Sequence, residues 1–107
     1  MPILKTRWVD VTFTFDAELY LWKADGSWVF VDLPLEVAEE IHDMPLPRKG
    51  FGSVKVDVAL GTSNWSTSLF PDKASGSFVL PVKKAVRKKE GVDVGDRAEF
   101  DLSIRLD

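Results

Sequence analysis

Apolar residues occupy alternate positions from Trp8 onward: Val9, Val11, Phe13, Phe15, Ala17, Leu19 and Leu21, with Asp10, Thr12, Thr14, Asp16 and Glu18 between them. A period of two turns one face to a core and the other to water, so the segment is predicted to be a half-buried strand. The pattern breaks at the turn signal Ala24-Asp25-Gly26, and Trp28-Val29-Phe30-Val31 follows as the returning arm of a hairpin. Leu33-Pro34 then opens a short amphipathic helix, because the missing N–H of Pro34 has no intrahelical partner in a first turn. Asp32 or Leu33 is expected at the cap. Leu35, Ala38 and Ile41 supply the inward positions, and Glu36, Glu39, Glu40 and Asp43 the other faces. The stretch from Met44 to Gly50 carries Pro45 and Pro47 and reads as a loop.

Alternation resumes with Val54, Val56, Val58 and Leu60 inward, opposed by Lys55, Asp57 and Ala59. Gly61-Thr62-Ser63-Asn64 is read as a turn, Trp65 to Phe70 as a strand ended by Pro71, residues 72–76 as another turn, and Ser77 to Leu80 as a strand. Pro81 is expected to open a second helix, with Val82, Ala85 and Val86 inward and Gly91 as its stop. The tail alternates most clearly, with Ala98, Phe100, Leu102, Ile104 and Leu106 on one face. Short strands at regular spacing predict an all-β fold, a small split antiparallel β-barrel of six to seven strands with two short helices. Gly26-Ser27-Trp28-Val29 followed by Leu33-Pro34 is echoed by Gly76-Ser77-Phe78-Val79 followed by Leu80-Pro81, each leading to a helix and a strand. The echo predicts two half-units related by a pseudo-two-fold.

Composition narrows the chemistry. With 107 residues, residues 1–107 are expected to form a single domain. The chain has no Cys and a single His, His42, which rules out disulfides, thiolate chemistry and any multi-histidine metal cluster. No catalytic residue, metal ligand or cofactor is assigned. The absence of an apolar run long enough to span a bilayer, or of a signal-peptide h-region, leads to the expectation of a cytoplasmic protein with no membrane partner.

The segments at 17–34, 54–58, 61–71, 76–82 and 86–96, followed by a final alternating strand, together resemble the bacterial family of domains of unknown function numbered nineteen hundred and five. The resemblance runs from about Val11 to Leu106. It implies a split β-barrel of the AbrB/MazE-like kind, found in that family beside YdeI/OmpD-associated domains, and no established activity. One departure stands out: Asn64-Trp65 replaces the family's usual Asn-Gly, which places a large ring near a turn.

Net charge is −3, from 14 Lys and Arg against 17 Asp and Glu, but it is unevenly placed. The second helix carries Lys83, Lys84, Arg87, Lys88 and Lys89, whereas the charged residues of the first are Glu36, Glu39, Glu40 and Asp43. A basic stripe is what phosphate binding requires, yet a two-fold DNA binder needs two of them, so nucleic acid is disfavoured and a solvated or partner-facing charged surface is preferred. Trp8 and Trp28 are assigned to the core or to cross-strand pairs. Trp22 and Trp65 fall beside turns and are candidates to edge a small-molecule cleft at the barrel mouth, with Asn64, Ser66, Ser68 and Arg87 as polar partners. The sequence thus leaves open a small-molecule-binding module, a protein-interaction or oligomerisation module, and AbrB-like nucleic-acid binding.

Overall fold

In a computed structural model, residues 12–22, 28–45 and 52–105 are described. Trp8, the Asp25-Gly26 turn, most of the proline loop and Leu106 lie outside them. The elements are β1 (Thr12–Glu18), β2 (Tyr20–Leu21), β3 (Val29–Asp32), α1 (Leu35–Asp43), β4 (Val54–Leu60), β5 (Ser63–Asp72), β6 (Ser77–Pro81), α2 (Lys84–Glu90) and β7 (Arg97–Ile104). All pairings are antiparallel, in the order β1-β7-β4-β5-β6-β3-β2. The seven strands curl into a half-barrel that carries two short helices.

The curl comes from two long strands that each change partners midway. β5 pairs with β4 as far as Leu69 and with β6 from Phe70 onward. The predicted first strand does the same: β1 pairs with β7, the ladder breaks at Leu19, and β2 pairs with β3. At the break the Leu19 N–H donates to the Asp96 carbonyl (2.9 Å) and the Leu19 carbonyl accepts from the Gly95 N–H (2.8 Å), so no backbone group there is stranded. Both Leu19 and Leu69 are fully buried where the strands cross over. The core between the two parts of the sheet is filled by Val31, Val56, Phe78, Leu80, Phe100 and Leu102, with Phe15 stacked on Phe100 at 5.8 Å.

These pairings obey a pseudo-two-fold. Exchanging β1–β2 with β5, β3 with β6, α1 with α2 and β4 with β7 maps every pairing onto another pairing. Val31 lies opposite Leu80, flanked by Phe30–Pro81 on one side and Asp32–Val79 on the other. The same symmetry relates the bond from Leu33 N–H to the Phe78 carbonyl to that from Val82 N–H to the Val29 carbonyl. Leu33 is therefore equivalent to Val82, and Pro34 to Lys83, the residues that precede each helix. The Leu-Pro echo is out of register with this symmetry: the repeat is real in topology, but that motif does not mark equivalent positions.

Several local expectations are corrected. Pro34 itself, not Asp32 or Leu33, holds the cap position of α1, its carbonyl accepting from the Val37 and Ala38 N–H groups. Val37 replaces Leu35 on the buried face, Leu35 being 57% exposed, because at about 100° per residue Val37, Ala38 and Ile41 share one arc of the helix and Leu35 lies outside it. Pro71 lies inside β5, opposite Phe78. It is tolerated because β5 has already left β4 and that edge carries no ladder bond to lose. Pro81 ends β6 rather than opening α2, and Ala85 faces solvent while Val82 and Val86 are buried. Leu21 is 42% exposed, since the alternation carried from β1 does not continue past the break at Leu19. Gly91 stops α2 with φ +69°, as expected.

Candidate functional site

The β4–β5 connection is a two-residue turn, Gly61-Thr62, closed by the pair Leu60–Ser63. Gly61 takes φ +58°, and a Cβ there would collide with Glu90 Oε1. Glu90, at the end of α2, clamps this turn: Thr62 Oγ1 donates to Oε2 at 3.0 Å, Ser63 Oγ to the same oxygen at 2.5 Å, and the Thr62 N–H to Oε1 at 3.3 Å. Ser63 in the first place, opposed by desolvation and aided by Thr62, holds the Glu90 carboxyl below its ordinary range. The sequence pattern assigns Glu90 only a charge; a carboxylate reaching a turn 28 residues away has no local signature.

With the turn at Gly61-Thr62, Asn64 and Trp65 are strand residues opposite Ala59 and Val58. Trp65 points into the core and is 9% exposed. The ring predicted beside a turn is therefore mostly interior, and its accessible edge contributes to two neighbouring clefts.

The first cleft, about 390 Å³, lies between β5 and the start of α2 and is lined by Trp28, Trp65, Ser66, Lys83, Lys84 and Arg87 among others. Arg87 is oriented there: its Nε donates to the Val82 carbonyl at 3.1 Å and its Nη1 meets Asp93 Oδ1 at 3.2 Å, with the side chain 17% exposed. Asp93 is a firm anchor, because the Val94 N–H above all, and then Arg87, keep its carboxyl below the usual range against an opposing desolvation. Asp96 accepts the Asp93 N–H at 2.9 Å, so it serves the backbone of this turn. The second cleft, about 370 Å³, is shared by Asn64, Trp65 and Ser66 with Asp57, Asp101 and Ser103. Ser66 donates to Asp57 there at 2.5 Å and accepts from Arg105 Nη1 at 3.2 Å.

Of the predicted cleft residues, Trp65, Ser66 and Arg87 thus meet in one place together with Lys83 and Lys84 from the basic surface. Asn64 lies in the adjoining cleft. Ser68 sits opposite Lys55 and lines neither. Lys88 and Lys89 are exposed farther along α2.

Trp22 belongs to a third site, an aromatic groove of about 440 Å³ on the outer face of β2, β3, β5 and β6. Its Trp22 N–H donates to the Trp28 carbonyl at 3.0 Å, which sets the two indoles side by side across the hairpin. Both are 52% exposed and Phe70 is 43% exposed, so of the two places expected for Trp28 the core is excluded and the cross-strand pair is found: it covers the outer face of the sheet. Phe30 is the buried floor, with the rings of Trp22, Trp28 and Tyr20 at 5.7, 6.1 and 6.4 Å from its centre. Tyr20 Oη donates to Asp32 Oδ1 at 2.6 Å. Burial first, then this bond and the charges of Asp32 and Asp72, raise the phenol well above its ordinary value. The sequence reading misses Tyr20, Phe30 and Phe70. A signal existed, since Tyr20, Trp22, Trp28 and Phe30 share one parity on the two arms of one hairpin.

Among the described residues no group of three or more His, Asp or Glu side chains could hold a metal ion, and no helix is long and apolar enough to cross a membrane. His42 stacks on Phe78 with ring centres 4.7 Å apart, on the exposed face of α1. A family model described as a domain of unknown function (DUF1905) matches residues 15–102. No curated protein matches the chain.

Proposed function

Because the chain belongs to the DUF1905 family of domains of unknown function, a membership that carries no activity, we propose from geometry that it is a small binding module for an anionic ligand with a flat apolar body. The observation that carries this reading is the convergence of Lys83, Lys84 and Arg87 on one cleft whose wall includes Trp28 and Trp65. Three cations beside aromatic surface suit a carboxylate or phosphate attached to a ring system: the charges select the head group and the indoles take the apolar part. Arg87 is held in place by Val82 and Asp93 before any ligand arrives, which lowers the cost of ordering it on binding.

The test is a titration followed by amide chemical shifts, using 1-naphthoate as the probe and 1-naphthamide as its uncharged counterpart. Naphthoate is expected to shift the amides of Ser66, Thr67, Lys83 and Lys84, and Lys83→Ala with Lys84→Ala to weaken it about tenfold, as loss of charge-assisted contacts implies. Equal shifts with naphthamide, or none with either, would overturn the reading.

A protein-interaction or oligomerisation role has one observation in its favour. α1 and α2 occupy equivalent positions under the pseudo-two-fold yet carry opposite charge, so α1 of one copy would meet α2 of another in an isologous pair. A strictly monomeric mass in light scattering at low salt would count against it. AbrB-like nucleic-acid binding is disfavoured by the same fact, because the helix equivalent to the basic one is acidic.

A further inference from the structure

We propose that the aromatic groove on the outer face of β2, β3, β5 and β6 is a binding site for a small organic cation with an alkylated ammonium head. It is separate from the basic cleft, on the other side of Trp28. Trp22, Trp28 and Tyr20 stand around Phe30, with Phe70 half exposed beside them. Aromatic faces carry negative partial charge, so several rings around one space attract a cation that has shed its water.

The charges at the groove have the matching sign. Asp72 lines it, Asp32 is bound to Tyr20 at its edge, and no Lys or Arg is among the described lining residues. The cations Lys83, Lys84 and Arg87 lie in the other cleft, so Trp28 divides an acidic aromatic surface from a basic one.

Hydrogen bonding narrows the class further. A primary ammonium brings three N–H donors that need acceptors once water is excluded. Asp72 already accepts the Ala74 N–H on Oδ1 (3.3 Å) and Ser75 Oγ on Oδ2 (3.0 Å), and Asp32 Oδ1 accepts the Tyr20 hydroxyl. Both keep further lone pairs, but Asp72 is the one carboxylate among the described lining residues. The three N–H donors of a primary ammonium therefore cannot all be met against a wall otherwise made of rings and aliphatic carbon, and the carboxylates act on the groove chiefly through their charge. A quaternary head has no N–H to satisfy, fits an apolar wall, and still feels that charge.

The experiment compares choline with 3,3-dimethyl-1-butanol, its uncharged isostere, and with ethanolamine, its primary-amine counterpart, following the indole N–H signals of Trp22 and Trp28. Choline is expected to saturate both signals and to bind about tenfold more tightly than either comparator, in line with a desolvated cation–π site. Trp22→Ala is expected to abolish binding. Asp32→Asn with Asp72→Asn removes both charges and keeps one acceptor oxygen on each side chain, enough for the Tyr20 bond at 32 and for one of the two bonds at 72, and is expected to weaken choline several-fold while leaving dimethylbutanol unchanged. Equal binding of choline and dimethylbutanol would reduce the groove to a plain apolar surface. Equal binding of ethanolamine would reduce it to charge attraction. Absence of binding, or a second copy of the chain covering the groove in sedimentation equilibrium, would equally overturn the proposal.

Discussion

If the fold turns on two strands that change partners, Leu19 and Leu69 are equivalent residues and should cost the same to truncate. Each is fully buried at its crossing point. Leu→Ala in such a site removes three carbons' worth of transfer energy and leaves a cavity that rigid sheet backbone closes only in part, together about 3 kcal/mol. For a chain of this size that is a fall of roughly 12–15 °C in Tm. The backbone bonds of Leu19 to Asp96 and Gly95 survive the substitution, so the loss reports the side chain alone. Urea unfolding followed by far-ultraviolet circular dichroism gives the free energy and a thermal scan the Tm, and the urea slope should match the parent's if the unfolded ensemble is unchanged. Leu35→Ala, at 57% exposure, is the control and should stay within about 0.5 kcal/mol of the parent. A cost near 3 kcal/mol at Leu69 with less than about 1 kcal/mol at Leu19 would refute the equivalence, because a collapsible or wet site at Leu19 is incompatible with a buried crossing.

Gly61→Ala forces a side chain into φ +58° and against Glu90, so a backbone cost of about 1–2 kcal/mol is expected, and any excess should vanish in a Glu90→Ala background. Tyr20 is the chain's single tyrosine, so absorbance at about 295 nm follows one phenol. Its folded value lies above the unfolded one near 10, hence its contribution to stability is full below that pH and is lost as pH rises through the folded value; the phenolate should appear in the folded protein only at higher pH than in Asp32→Ala. Glu90 has the opposite sign: its value is lowered on folding, so its contribution is present above its ordinary 4.5 and is lost as pH falls below it. Glu90→Gln should therefore lower the urea midpoint at neutral pH and flatten its decline in acid. Parallel acid profiles for the two proteins would remove Glu90 from the account.

Local pattern carried much of this fold. β4 and β7 were legible because one face of each is packed and the other wet, which is the arrangement that writes period two into a sequence. β3 and β6 were legible only as apolar runs. Both faces are covered, the inner by the core and the outer by Trp22, Trp28 and Phe70, so alternation is erased and the sequence cannot say which side each aromatic takes. The same ambiguity left Trp28 open between the core and a cross-strand pair, where it is exposed, and placed Trp65 beside a turn, though it is buried.

The candidate site divides along similar lines. That α2 is basic and α1 acidic follows from composition, and Arg87 was identifiable as one of its cations. That Arg87 shares a cleft with Trp65 and Ser66, and Trp22 does not, depends on how β5 bends between its two partners. The inventory of strands, turns and charged helices was determined by sequence alone, because hydrogen-bond geometry and side-chain period act over a few residues. The crossings at Leu19 and Leu69, the true register of the repeat, the Glu90 clamp and the division of surface by Trp28 were decided by tertiary structure. Each depends on which segments meet across long separations, and a one-residue shift of register would place a different set of side chains on every face.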